Sequence, residues 1–320
     1  MFANLIVGVD GRPGGADAVA LAKRLVSADG RLTLVNVHGG ITQAALTAVP
    51  NRPDPDQQSL AVLREAQQQA DVDAELLSIT AASPGRALHV LAEERSADLI
   101  VVGSCRRGTL GRVMLGDDTK AALNGAPCGV AVAAKGYADT QAPLAKIGVG
   151  YDASPESEQA LRLAREIATE HHCLIEVVEV VSIPAYAFAG VTPPALGESI
   201  EEMIQAAEAE LATLPDVDHK AVYGLPGEEL ARFGDEVDLL LVGSRGYGPM
   251  RRLVLGSTAN YLQRHARCAL LVLPRLSGAK PTATGRQLGA EQDGQLSVAQ
   301  DAATAAQSDA AERRHDREER

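Results

Sequence analysis

Three glycines, Gly243, Gly246 and Gly256, stand at spacing G-x2-G-x9-G and are followed directly by Ser257 and Thr258. The run that holds them, DLLLVGSRGYGPMRRLVLGST, opens on an aliphatic strand, Leu239–Val242, and leads into a helix that runs toward Ala269. A buried parallel strand reads as such a short aliphatic run with Gly at the turn. Glycines let a backbone approach a ligand closely and leave N–H groups free to face an anion. Ser257 has the side chain of an N-cap, and the helix it opens brings unpaired N–H groups and a positive dipole end. Together these make a phosphate seat. A ligand-free glycine-rich surface turn is the competing reading. The long spacing and the strand–loop–helix context favour the seat.

Such a seat needs a sheet behind it, and the chain supplies that sheet twice. LIVGVDGRP (5–13) answers IGVGYDASP (147–155), which sets Asp10 opposite Asp152. ADLIVVGSCRRGTLGRVMLGDD (97–118) answers VDLLLVGSRGYGPMRRLVLGST (237–258) without a gap, and APCGVAVA (126–133) answers ARCALLVL (266–273), setting Cys128 opposite Cys268. A period of about 140 residues is a whole domain duplicated in tandem, not a solenoid unit. The first copy predicts strands near 5–9, 32–37, 74–79, 99–102 and 130–133, with Ala18, Val19, Ala22, Leu25 and Val26 forming a helical stripe. The second predicts strands near 147–151, 174–180, 220–223, 239–242 and 270–273. Its first helix is capped by Ser154 with Pro155 at N1, and a later helix carries Ile200, Met203, Ile204, Ala207, Leu211 and Leu214 on one face. Alternating strands and helices imply a parallel sheet covered on both faces, with ligands at the carboxyl ends of its strands. Asp10 and Asp152 end the first strand of their copies and the glycine loops end the fourth, so carboxylate and seat share one crevice.

The domain organisation follows: a first domain at 1–135, a linker at 136–145, a second domain at 146–276 and a tail at 277–320. The tail holds only three residues from Leu, Ile, Val and Phe and ends ERRHDREER, a composition expected to stay disordered. A net charge of −12 argues against nucleic acid as the partner. No apolar run reaches the length of a membrane span, and MFANLIVGVD reads as a first strand rather than a signal peptide. Four scattered cysteines form no C-x-x-C pair, and the seven histidines form no H-x3-H pair. The expectation is a soluble cytoplasmic protein with no metal site of its own.

The glycine loop, the strand-end Asp152 and the five-stranded repeat resemble the universal stress protein family, whose ATP-binding members carry G-x2-G-x9-G-[S/T]. The resemblance covers about residues 1–276 as two tandem domains. It implies Rossmann-like (flavodoxin-like) α/β domains with strand order 3-2-1-4-5, in which copies associate through their fifth strands. It further implies an adenine nucleotide (ATP, ADP or AMP, with Mg) held by Asp152, Ala153, Val180, Gly243, Arg245, Gly246, Gly248, Gly256, Ser257 and Thr258. The implied role is an ATP-binding regulatory module of the stress response, without catalytic residues. Its partners would be the nucleotide, the other repeat, a second copy in a homodimer and an unidentified protein.

The first copy departs from that motif. Asp10, Gly103 and Gly116 remain, but Arg106 replaces the middle glycine and Asp117 the serine. Arg at a position needing positive φ costs on the order of 1–2 kcal/mol. A carboxylate beside phosphates is repulsive without a metal. One nucleotide per chain is therefore expected, unless Arg106, Arg107 and Arg112 supply phosphate charge by another route. Cys105 could be a reactive thiol or a plain one. Tyr186 and Phe188 could stack on adenine or pack on their own loop, 182–197. Arg251 and Arg252 face either phosphates or solvent. Two other readings stay open: a slow ATPase or nucleotide-transferring enzyme, and a scaffold that binds no nucleotide. The chain has no G-x4-G-K-[ST], and the loop holds no His, Glu or Lys to act as a base.

Overall fold

Along β1 (Phe2–Gly8), Leu5 and Val7 point into one buried apolar cluster and Ile6 into another. Side chains alternate across a strand, so a strand apolar on both sides must be covered on both sides. In the computed structural model, residues 1–39, 54–104, 121–140, 142–182, 193–244, 253 and 256–274 are described (193–198 as backbone). Arg245, Gly246, Gly248, Arg251, Arg252, Gly116, Asp117, Cys105, Arg106, Arg107, Arg112, Tyr186, Phe188 and the tail at 277–320 lie outside them.

The first repeat continues with α1 (Pro13–Leu25), β2 (Val26–His38), α2 (Pro55–Ala70), β3 (Glu75–Thr80), α3 (Pro84–Arg95), β4 (Leu99–Gly103) and β5 (Gly129–Ala133). The second comprises β6 (Lys146–Tyr151), α4 (Pro155–His171), β7 (Leu174–Val181), α5 (Pro193–Leu211), β8 (Asp218–Tyr223), α6 (Pro226–Phe233), β9 (Leu239–Gly243), α7 (Ser257–His265) and β10 (Ala269–Leu273). Six of the described helices begin with Pro at the first position, where its missing N–H costs nothing and its fixed φ suits the helix.

The ten described strands form one sheet in the order β3-β2-β1-β4-β5-β10-β9-β6-β7-β8. Each repeat thus has the order 3-2-1-4-5 and is parallel throughout. The two meet at β5 and β10, which pair antiparallel with Leu270 opposite Val132, Leu271 opposite Ala131 and Val272 opposite Val130. Those six residues are fully buried. Pairing these edges removes two exposed aliphatic strands that would otherwise template aggregation. One face of the sheet packs on α1, α2 and α4 and the other on α3, α6 and α7. Both repeats lie in one compact unit, 1–182 with 197–278. Among the described residues, no helix is long and apolar enough to cross a membrane.

Three sequence expectations are corrected. Val26 does not extend the α1 stripe: it is the C-cap, at φ −72° and ψ 139°, and starts β2. The strand begins there because Val26 pairs with Phe2 on β1. Ser257 is the first helical residue rather than the N-cap, which is Gly256 with no side-chain cap. Gly is tolerated there and leaves the serine hydroxyl free of capping work. The segment 182–197 is not loop throughout, since α5 begins at Pro193. The linker at 136–145 is tied to the first repeat. Buried Asp17 accepts hydrogen bonds from the Gly136 N–H (3.0 Å) and the Ala138 N–H (2.8 Å), and Arg24 donates to the Thr140 and Ala142 carbonyls. Burial raises the Asp17 carboxyl above its usual range, and those two N–H groups pull it back.

Candidate functional site

A cavity of about 470 Å³ opens at the carboxyl ends of β6, β7 and β9. It lies beside the β6–β9 junction, where the chain order of the sheet reverses, the place where open α/β sheets bind ligands. Gly150 and Tyr151 of β6, Val178 and Val180 of β7, and Val242 and Gly243 of β9 form the strand side. The other side is made of helix starts: Ser154, Glu156 and Ser157 for α4, Pro226, Gly227 and Glu228 for α6, and Gly256, Ser257 and Thr258 for α7. Three N-termini therefore converge on one space. Each brings the partial positive charge of its dipole, and together they offset the carboxylates of Asp152, Glu156 and Glu228 on the same wall.

Close backbone approach holds this arrangement together. A Cβ on Gly227 would lie 2.7 Å from the Tyr261 Cβ, so only glycine lets α6 sit against α7. A Cβ on Gly243 would lie 2.5 Å from the Glu156 Cβ, so glycine is equally required where α4 starts over the end of β9. Tyr261 lines the cavity and stacks on His265 with ring centres 3.9 Å apart.

Asp152 sits in a built turn. Its Oδ1 accepts from the Ser154 N–H (3.2 Å) and the Ser154 hydroxyl (2.5 Å), while Ser154 Oγ caps α4 by accepting from the Ser157 N–H (3.2 Å). Between them Ala153 is held at φ +56°. A non-glycine residue there costs about 1–2 kcal/mol, offset by the three hydrogen bonds around it. Burial raises the Tyr151 phenol above its usual value, with Glu158, Glu210, Asp152 and Glu179 adding to the shift. It stays a neutral donor at the cavity wall.

Of the predicted site residues, the structure brings Asp152, Val180, Gly243, Gly256, Ser257 and Thr258 around the cavity, with Ala153 in the adjoining turn. Arg245, Gly246 and Gly248 lie outside the described residues, as does Gly116. In the other repeat Asp10 lies two residues past the end of β1, and Gly103 ends β4. The wall made by α6 and Tyr261 went unread in the sequence. Its signal was there, because Pro226-Gly227 repeats Pro84-Gly85 of the first copy.

The first repeat keeps the apolar wall, with Val102 and Gly103 ending β4 as Val242 and Gly243 end β9. Its polar end differs. Arg12 stands where Ser154 stands, leaves α1 without a side-chain cap and ion-pairs with Asp10 at 3.5 Å. Gly14 stands where Glu156 stands, and a Cβ on Gly103 would fall 1.9 Å from the Gly14 carbonyl oxygen. The α1 start thus lies with its backbone directly on the end of β4. A separate cluster joins His38, Asp56 and Ser78: His38 Nε2 is 2.9 Å from Asp56 Oδ1 and 3.1 Å from Ser78 Oγ, and Ser78 also donates to Asp56. One ring nitrogen faces both partners, so this is not a nucleophile–base–orienter chain. The Ser78 and His38 hydrogen bonds lower the Asp56 carboxyl below its ordinary value. Among the described residues, no group of three His, Cys, Asp or Glu could hold a metal ion.

The sequence profile of the universal stress protein family matches residues 1–134 and again residues 144–274. This chain belongs to the universal stress protein family. A universal stress protein of Mycobacterium tuberculosis is 29% identical over 290 residues, covering 84% of this chain and 96% of its own. One from Thermus aquaticus is 28% identical over 130 residues, 39% of this chain but 95% of its own, so it matches little more than one repeat. Among solved structures, a universal stress protein from Pseudomonas aeruginosa superposes with a TM-score of 0.59 at 16% identity, covering 85% of this chain and 94% of its own. Another from Archaeoglobus fulgidus gives 0.56 at 19% identity, covering 85% and 96%. These two likenesses establish a shared fold.

Proposed function

We propose that the second repeat binds one adenine nucleotide, ATP or ADP, and that the chain is a nucleotide-responsive regulatory module of the stress response rather than an enzyme. The observation that carries the reading is the convergence of the α4, α6 and α7 N-termini on a cavity whose strand side ends in Gly243. An anion is what such a convergence favours. The apolar wall of Val178, Val180, Leu230 and Val242 suits a base, and Asp152 suits the hydroxyl and amine donors of a nucleoside. The α7 start, Gly256 to Thr258, and Gly243 take the phosphates, joined by Arg245, Gly246 and Gly248 of the sequence motif. Magnesium accompanies the phosphates and relieves their repulsion from Glu156 and Glu228. Phosphoryl transfer wants a lysine on the phosphates and a residue that positions the nucleophile. The described cavity lining includes no lysine, which favours holding over turnover.

The first repeat is assigned no equivalent site. Arg12 occupies Asp10, the α1 start covers Gly103, and Arg106 and Asp117 break the motif. Cytoplasmic residence, a homodimer and a protein partner that reads the nucleotide state belong to the same proposal. The test is thermal unfolding of the purified chain with ATP and magnesium. Ligand at a hundred times its Kd adds about 2.7 kcal/mol, so Tm should rise by several degrees. An unchanged Tm favours the nucleotide-free scaffold, and steady release of phosphate over many turnovers per chain per minute favours the enzyme.

A further inference from the structure

Leu253 lies three residues before Gly256, the N-cap of α7, and both of its backbone groups are committed to the other repeat. Its N–H donates to the Ala126 carbonyl at 2.8 Å, and its carbonyl accepts from the Gly125 N–H at 2.9 Å. Leu253 and Ala126 are fully buried, where unpaired backbone groups are costly. The chain that enters α7 is thus held by a two-bond bridge to residues more than a hundred positions earlier. Gly125 donates from φ +87°, and a Cβ there would meet only His89, at 3.8 Å. The glycine serves conformation, not space. In the second repeat the counterpart position is His265, the last residue of α7.

We infer that the first repeat positions the anion seat of the second: Gly125 and Ala126 clamp Leu253 and so fix the approach to Gly256, Ser257 and Thr258. The degenerate repeat then contributes a positioning element rather than a second site. This rests on the nucleotide reading above, and it goes beyond it by making the seat dependent on residues outside the repeat that contains it.

The test uses the full chain and compares ATP with adenosine, which lacks the group the seat holds. In Gly125→Val the backbone leaves positive φ and the donor is lost. ATP affinity falls about tenfold, the scale of one broken anchoring contact, while adenosine affinity stays the same. Gly125→Asn, which tolerates the left-handed region, retains both. Equal loss for ATP and adenosine, or no loss, overturns the clamp while leaving the nucleotide reading intact. A wild-type chain that binds neither ligand overturns both. Should Gly125→Val fail to fold, hydrogen exchange on the unmodified chain decides: ATP slows exchange at the Leu253 and Gly125 amides, and unchanged exchange there overturns the clamp.

Discussion

Asp10 and Asp152 follow the first strand in two copies of one domain, yet they face different neighbours. Asp152 is oriented by Ser154, whose hydroxyl and N–H both donate to its Oδ1, and Ser154 in turn caps α4. Asp10 meets Arg12 instead, an exposed ion pair on an uncapped helix start. The apolar wall behind both is alike, with Val102 answering Val242, and so are the sheet order and the buried fifth strands. Duplication has kept what packs and changed the polar end of the crevice. Both carboxylates accept the N–H two residues on, but the second acceptor contact of Asp152 is a serine hydroxyl and that of Asp10 a guanidinium.

That contrast can be broken most severely by writing the first repeat into the second. Gly246→Arg, which breaks the sequence motif as Arg106 does in the first repeat, should lower ATP affinity about a hundredfold or more, with far-ultraviolet circular dichroism unchanged. Full retained affinity by calorimetry would mean the nucleotide sits elsewhere. Next in size, Asp152→Asn keeps an acceptor for Ser154 but loses the charge, so affinity should fall about tenfold with Tm held. Asp152→Ala should in addition cost about 1–2 kcal/mol of stability in urea unfolding, as Ser154 loses its acceptor. The reverse experiment sharpens the comparison: Arg12→Ser with Arg106→Gly and Asp117→Ser should give the first repeat a weak second equivalent of ATP. Smallest is a trait the repeats share. Burial pushes the Cys128 and Cys268 thiols up to about 12, so a thiol reagent at pH 8 should leave both unmodified in the native chain and modify them on unfolding.

Much of this was legible because the chain repeats itself. Two copies of the same strand and loop locate every strand of the sheet, and Asp152 and Gly243 fall at the strand ends where the pattern puts them. The misreadings occur where local pattern competes with distant pairing. Val26 continues a helical stripe in sequence but pairs with Phe2 in space. Ser257 is the better capping side chain, yet the turn closes on Gly256. The α6 wall was missed because Pro226-Gly227 looks like an ordinary helix start until Gly227 is seen against Tyr261. The Leu253 bridge has no local signature at all, since its partners belong to the other repeat.

The central claim is that one repeat of two holds nucleotide. The most direct measurement is to denature the purified chain, separate the released small molecules and count adenine nucleotide per chain. About one is expected. About two would mean that the Arg12 and Arg106 variations do not close the first site, and none, after incubation with ATP and magnesium, would mean that the converging helix starts of the second repeat hold something else.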